Sequence, residues 1–220
     1  MDVAREIEIK LRVADLRAFR RALRRLGARL ISVKARRVHE WNELFDTPRN
    51  ELKRAGQLLR IRTESYGYLG HGKARGPRGQ RVVLTFKSPP AGRPTSSRRE
   101  KYKVKEEIEV EVAEGRALRD VLIGMGMRVW FRYEKYRTTF RLATSQRWAR
   151  GLCIELDETP MGSFVELEGR RRAIDQAAKA LGYRQRDYVT ANYFELHRDH
   201  CRGAGKKLGD MLFENANRND

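Results

Sequence analysis

The chain has 220 residues, 40% hydrophobic and 35% charged, enough for one well-cored domain without requiring two. Its 48 Lys and Arg against 29 Asp and Glu leave a net charge of +19, so the expected partners are anionic: phosphates, nucleic acid or an acidic surface. No run is apolar enough to span a bilayer, no secretory apolar segment opens the chain, and Cys153 and Cys201 lack metal or redox spacing, so the expectation is a cytoplasmic protein with no membrane partner.

In chain order, "EIEIKLRV" alternates Glu6, Glu8, Lys10 and Arg12 with Ile7, Ile9, Leu11 and Val13, the pattern of a strand with one apolar and one charged face. "ADLRAFRRALRRLGA" puts Leu16, Phe19, Leu23 and Leu26 at helical spacing, with Asp15 as N-cap, Gly27 as stop and a basic outer face. "SVKARRVHEWNELFDTP" reads as a strand ending at Pro48. "QLLRIRTE" is a clearer one, with Arg60, Arg62 and Glu64 opposite Leu59, Ile61 and Thr63. The glycine-rich, basic "YGYLGHGKARGPRGQ" predicts a long hairpin loop leading into "RVVLTFKS", whose Val83, Thr85 and Lys87 share a face. After a second loop, "PPAGRPTSS", the segment "REKYKVKEEIEVEV" sets Lys105, Glu107, Glu109 and Glu111 against Tyr102, Val104, Ile108, Val110 and Val112.

"RALRDVLIGMGM" predicts a second helix and "VWFRYEKYRTTFRL" a strand carrying Lys135 and Arg137. "GLCIELDE" and "SFVELEG" form a hairpin through Pro160 and Gly162, with Glu155/Asp157 and Glu166/Glu168 on its acidic sides. "RRRAIDQAAKALGY" predicts a third helix, and the chain from Asp187 is expected to be helical and then frayed. Trp41, Phe45, Trp130, Phe131 and Tyr133 read as core or wall residues, Tyr188 or Tyr193 as closing one end, and the four histidines show no ligand spacing.

Eight strands joined by turns or single helices predict an α+β, antiparallel domain. Charge recurs at i and i+2 on strand after strand, and such side chains lie roughly 6.6 Å apart on one face. A single charged strand face is ordinarily solvated. Six of them together, with helices available to cover the apolar parity, predict a closed eight-stranded barrel with a charged lumen and helices outside. Enclosed carboxylates repel one another unless they share a cation, and hard oxygen clusters suit Mg²⁺ or Mn²⁺. The arginines and lysines cannot ligate a metal but suit phosphate oxygens.

With these features, "EIEIK" resembles the ExExK signature of the CYTH superfamily, the triphosphate tunnel metalloenzymes, which include class IV adenylate cyclases, thiamine triphosphatases and inorganic triphosphatases. "LRIR", "LTFK", "KEEIEVEV", "KYR", "IELDE" and "GSFVELE" follow in the family's order over roughly residues 5–195. The resemblance implies an eight-stranded tunnel, spanning residues 1–196, with 197–220 a tail that is helical or partly disordered. It implies a divalent metal, Mg²⁺ or Mn²⁺, on Glu6, Glu8, Asp157, Glu166 and Glu168. Phosphate would sit on Lys10, Arg60, Arg62, Lys87, Lys135 and Arg137, and Glu107 and Glu109 would orient basic residues. Glu155 and Glu111 are expected toward the tunnel mouths or water. Lys105 stands where the family often has arginine.

The expected substrate is a small triphosphate: tripolyphosphate, ATP or thiamine triphosphate. Hydrolysis leads, with Lys10 or Lys87 accepting a proton if its pKa is depressed. The alternative is class IV cyclisation of ATP to cyclic AMP and pyrophosphate, which the "DTP" and "TFKSPP" turns resemble. A second alternative is a non-catalytic module binding polyphosphate or RNA, with "HGKARGPRGQ" tracking a backbone; aligned carboxylates, which repel such a ligand, weigh against it. A homodimer is compatible with all three readings.

Overall fold

The computed structural model describes residues 4–32, 36–66, 79–91, 100–143 and 145–214; most of the two predicted loops, and the last residues of the tail, lie outside these. The strands are β1 (Ala4–Val13), β2 (Arg29–Leu30), β3 (Val38–Asp46), β4 (Leu58–Tyr66), β5 (Gly79–Ser88), β6 (Lys103–Val112), β7 (Arg128–Arg141), β8 (Cys153–Thr159) and β9 (Gly162–Glu168). The helices are α1 (Leu16–Leu26), α2 (Glu51–Arg54), α3 (Gly115–Gly124), α4 (Arg171–Ala180) and α5 (Tyr193–Gly203).

All pairings are antiparallel and run β7-β3-β4-β5-β6-β1-β9-β8, and β8 pairs back to β7. The expected eight-stranded closed barrel is therefore present, and closure leaves no free edge along its length. β2, too short to show a period, adds to β7 beside β3.

The apolar parity of β1, β8 and β9 faces outward under helices. Ile9, Leu11, Ile154, Leu156, Val165 and Leu167 are fully buried with Phe19 and Leu23 of α1 and Ala173, Ile174, Ala177 and Ala178 of α4. Alanines along α4 let its backbone lie close to the strands. Each of the larger side chains contributes roughly 1.5–3 kcal/mol by leaving water. α1 is delimited as expected: the Asp15 carboxylate accepts from the backbone N–H groups of Arg17 and Ala18, and Gly27 ends the helix at φ 79°. An L-residue with a side chain is strained there.

α3 covers β3–β5 through Leu122, Phe45 and Ile61. The outer face of β6 is less covered, and Ile108 and Val110 are exposed. α2 has no apolar period to announce it. It is organised by the buried Asp46, whose carboxylate accepts from the N–H groups of Thr47, Leu52 and Lys53.

Position 196 falls inside α5. Beyond that helix, Met211 is fully buried and exchanges backbone hydrogen bonds with Arg132 and Glu134 of β7. Leu44, Phe131, Tyr133 and Phe164 of the barrel pack with Tyr193, Leu196 and Met211 in a separate apolar cluster. Among the described residues, no helix is long and apolar enough to cross a membrane.

Candidate active site

Strand pleating sends alternate residues inward, and the register decides which inward residues meet. Opposite charges face each other at Glu6/Lys105, Lys10/Glu166, Lys87/Glu107, Glu40/Lys135 and Arg137/Asp157. Like charges face each other at Glu8/Glu168, Glu155/Glu166 and Glu40/Glu64. Pairs of the first kind stabilise a sheet and pairs of the second destabilise it.

Arg137 is the hub of the basic side. Its Nη2 lies 2.7 Å from Asp157 Oδ2 and 2.6 Å from Glu166 Oε2, its Nε lies 2.7 Å from Asp157 Oδ1, and Nη1 pairs with Glu155. Lys135 Nζ sits 2.8 Å from Asp157 Oδ2 and 3.4 Å from Glu40 Oε2. Tyr193 donates its hydroxyl to Asp157 Oδ2 at 2.6 Å, so α5 reaches into this network. Tyr188 instead donates to Asp175 of α4.

Lys10 Nζ stands between Glu8 Oε1 at 2.8 Å and Glu166 Oε1 at 3.1 Å, and Lys103 reaches Glu8 at 2.6 Å. Lys87 bridges Glu6 at 2.6 Å and Glu107 at 3.0 Å. Arg62 meets Glu109 at 3.0 Å, and Arg60 donates to the hydroxyls of Tyr133 and Thr85 at 3.1 and 3.2 Å. Glu107 and Glu109 thus hold basic side chains. Asp157 is fully buried and Lys135 is 2% exposed. Charges so far from water persist only when paired, and removing one partner strands the other.

These pairings displace the titrations. Burial works against the charge on Glu8, but Lys10 and Lys103 outweigh it and hold its pKa below the ordinary range. Burial works against Glu166 too, and Lys10 and Arg137 carry it well below that range. The acids that face Glu8 and Glu166 across the sheet behave oppositely. Glu168 is pushed up to about 7 by burial and by Glu6 and Glu8, with Lys87 opposing. Glu155 is pushed up to about 8 by burial, against Arg137, with Glu166 and Asp157 adding to the rise.

Two expectations need correction. Lys10 and Lys87 were to act as bases if depressed, yet burial is outweighed by Glu166 and Glu8 at Lys10 and by Glu6 and Glu8 at Lys87, and both pKa values are raised. The tunnel lysine that is lowered is Lys105, through burial and the neighbouring Lys103 and Lys87. Glu155 is not at a watery mouth: it is largely buried against Arg137. Glu111 is the exposed acid, paired with Arg81.

The structure sets the remaining named bases and acids on the inward parity of the closed barrel, with Glu109 still 36% exposed, and adds Glu40, Asn42 and Lys103. Lys103 shares the parity of Lys105 and was legible. Glu40 and Asn42 lie on β3, where Glu43 on the Trp41 and Phe45 parity and Leu44 on the other blur the alternation.

The acids divide into two groups. Asp157 and Glu166 are clamped by Arg137, Lys135 and Lys10. Glu6, held by Lys87, and Glu8, held by Lys10 and Lys103, stand with Glu168 on β1 and β9, where burial first and then repulsion from Glu6 and Glu8 raise the pKa of Glu168. Among the described residues no three acidic, imidazole or thiol side chains converge as a ready-made metal cage. The donor chemistry of Glu6, Glu8 and Glu168 nonetheless fits a hard divalent cation: carboxylate oxygens, one of them already destabilised as an anion. On the basic side, Arg60 Nε is buried without a hydrogen-bond partner. Buried donors are rarely left so, and an anionic oxygen in the tunnel would use it.

The CYTH domain model matches residues 4–189. Solved structures with the same architecture include a candidate adenylate cyclase from Vibrio parahaemolyticus, 18% identical, with a TM-score of 0.66 over 89% of this chain and 98% of that one. A protein from Pyrococcus horikoshii is 22% identical, with a TM-score of 0.63 over 88% and 98%. A candidate adenylyl cyclase from Hippeastrum, described as having a dominant triphosphatase activity, is 24% identical, with a TM-score of 0.52 over 92% and 97%. No curated protein matches the chain.

Proposed function

The chain belongs to the CYTH domain family, and from that premise we propose that it is a divalent-metal-dependent triphosphatase acting on a small triphosphate inside the barrel. The carrying observation is the buried Arg60, whose Nε has no hydrogen-bond partner, in a closed barrel that also crowds Glu6 and Glu8 beside Glu168.

In this reading Arg60, Arg62, Lys135 and Arg137 hold the phosphate chain, the arginines through forks and Lys135 as a point charge. Lys10 and Lys87, kept protonated by their carboxylates, serve as further phosphate-neutralising cations rather than bases. Asp157 and Glu166 position Arg137 and Lys135. Glu6, Glu8 and Glu168 would hold Mg²⁺ or Mn²⁺, which supplies charge neutralisation at the phosphates and an acidified water. Burial of Glu6, Glu8, Lys10, Arg60, Arg62, Lys135, Asp157 and Glu166 limits access of bulk water and strengthens their charge contacts. Such catalysis is positioning and electrostatics, with little covalent work for the protein.

Cyclisation of ATP is the second reading, favoured by the likeness to the candidate cyclase from Vibrio parahaemolyticus. It uses the same phosphate clamp but needs the α-phosphorus presented to the ribose hydroxyl. The Hippeastrum neighbour, with dominant triphosphatase activity, supports placing hydrolysis first. The test is incubation with Mg²⁺ or Mn²⁺ and, separately, tripolyphosphate, ATP and thiamine triphosphate. Orthophosphate release is expected. Cyclic AMP with pyrophosphate would establish the second reading, and no turnover of any of the three would overturn both.

A further inference from the structure

α1 carries Arg17, Arg20, Arg21, Arg24 and Arg25, all exposed, and no acid in its first turn. Arg17/Arg21, Arg20/Arg24 and Arg21/Arg25 are like-charge pairs at i,i+4, a spacing that destabilises a helix. Arg24 and Arg25 lie in the last turn, where the helix dipole favours cations; Arg17, Arg20 and Arg21 lie toward the N-terminal end, where it opposes them. Among the described residues Arg20 pairs with Glu158 at 3.7 Å, an acid shared with Arg37, and Arg17 and Arg21 have the exposed N-cap Asp15 between them, two acids for five arginines. Stability of α1 therefore does not account for these residues.

The basic face continues past the helix. Arg29 stands directly opposite Arg141 across the β2–β7 pairing, again like against like. The Gln146 side chain donates to the Leu26 carbonyl at 3.0 Å, which brings the exposed Arg147 to the end of α1.

The chemistry selects the partner. Every cation on α1 is arginine, whose planar fork pairs bidentately with phosphate oxygens. The apolar side of α1, Phe19 and Leu23, is buried in the core, so no apolar stripe remains to enter a membrane. The helix extends about 16 Å, and its arginines project on successive turns. We propose that this face binds the sugar–phosphate backbone of a nucleic acid, outside the tunnel and without reading bases.

The test is fluorescence anisotropy with a labelled single-stranded RNA ending in a 5′ hydroxyl, which offers the tunnel no triphosphate. Binding is measured from about 50 to 200 mM salt. For the triple variant Arg17→Gln/Arg20→Gln/Arg21→Gln, the slope of log affinity against log salt should become shallower by about 2, at about 0.7 per lost phosphate contact. Its melting temperature should equal or exceed that of the parent, since repulsion is relieved and glutamine is a good helix former. Should the triple melt lower, Arg21→Gln alone carries the same test with a slope change of about 0.7. The control Arg116→Gln/Arg186→Gln/Arg202→Gln removes equal charge from exposed positions elsewhere and should change the slope by less. Equal losses in the two triples would assign binding to net charge alone and overturn the proposal. So would tighter binding to phosphatidylserine vesicles than to RNA, or no RNA binding at the lowest salt.

Discussion

Arg137 grips both oxygens of Asp157 through Nε and Nη2 while also touching Glu155 and Glu166, a set of contacts open to a forked guanidinium and beyond the three donors of an ammonium. Arg137→Lys is expected to raise KM for tripolyphosphate at least ~10-fold, the scale of one lost charge-assisted contact, with a smaller change in kcat; steady-state kinetics with Mg²⁺ tests this. On the acidic side, Glu6→Gln and Glu168→Gln are expected to lower metal-dependent turnover by ~100-fold or more with the circular dichroism spectrum unchanged. Parent-like turnover in both variants would remove them as metal ligands. Away from the tunnel, Asp175 accepts from Lys101 Nζ and the Tyr102 hydroxyl at 2.8 Å and from the Tyr188 hydroxyl at 2.9 Å. Burial works to raise its pKa, but these bonds prevail and lower it. An acid with a depressed folded pKa contributes stability above its unfolded value, 3.8, and loses it as pH falls through the folded one. Asp175→Asn should therefore melt below the parent at neutral pH, with the gap closing on acidification below that value; a gap independent of pH would refute the assignment. Most of the tunnel residues were legible one by one because each sits at i and i+2 with another charge; Lys87, with Thr85 and Pro89 at those positions, was legible only as the polar end of an alternating strand. Their titrations were not, because a pKa depends on which strands become neighbours: "KEEIEVEV" gives no sign that Lys105 would be lowered while Lys87 is raised.

Elements with a clear apolar period emerged where expected. α1 kept its predicted cap and stop, and α4 its predicted body, because a stripe of Leu, Ile and Ala at helical spacing has one way to leave water. Ile174 shows what that stripe is worth: it is fully buried between α4 and the barrel, and Ile174→Ala is expected to cost about 2–5 kcal/mol in urea unfolding. Val110, 53% exposed on the outer face of β6, should cost less than ~0.5 kcal/mol when changed to serine. Equal costs at the two sites would contradict the burial of Ile174 and the exposure of Val110. β2 and α2 escaped notice for a physical reason. Two paired residues have no period, and α2 is held by the distant Asp46 carboxylate rather than by any pattern of its own. The segment after α5 escaped for a similar reason, since Met211 is buried by contact with β7 and not by its neighbours in sequence.

For the molecule as a whole, the barrel concentrates carboxylates and bases at a density that only mutual pairing and bound ions can sustain. A cation bound to the folded tunnel alone stabilises it by about 2.7 kcal/mol at a hundred times its dissociation constant, or roughly 5–11 °C in melting temperature for a chain of this size. Mg²⁺ or Mn²⁺ should produce such a shift, and a chelator should reverse it; identical melting curves in both conditions would count against a metal in the tunnel. What the sequence by itself determined is the alternation: which residues share a face, that both faces need shelter, and that acids and bases are interleaved on strands too numerous to be chance. Strand parity follows from local backbone geometry, so it can be read along the chain. What only the tertiary structure decided is partnership. Lys10 between Glu8 and Glu166, Glu168 against Glu8, and Tyr193 reaching Asp157 from a helix far along the chain all follow from register and closure, which are set by contacts between segments distant in sequence.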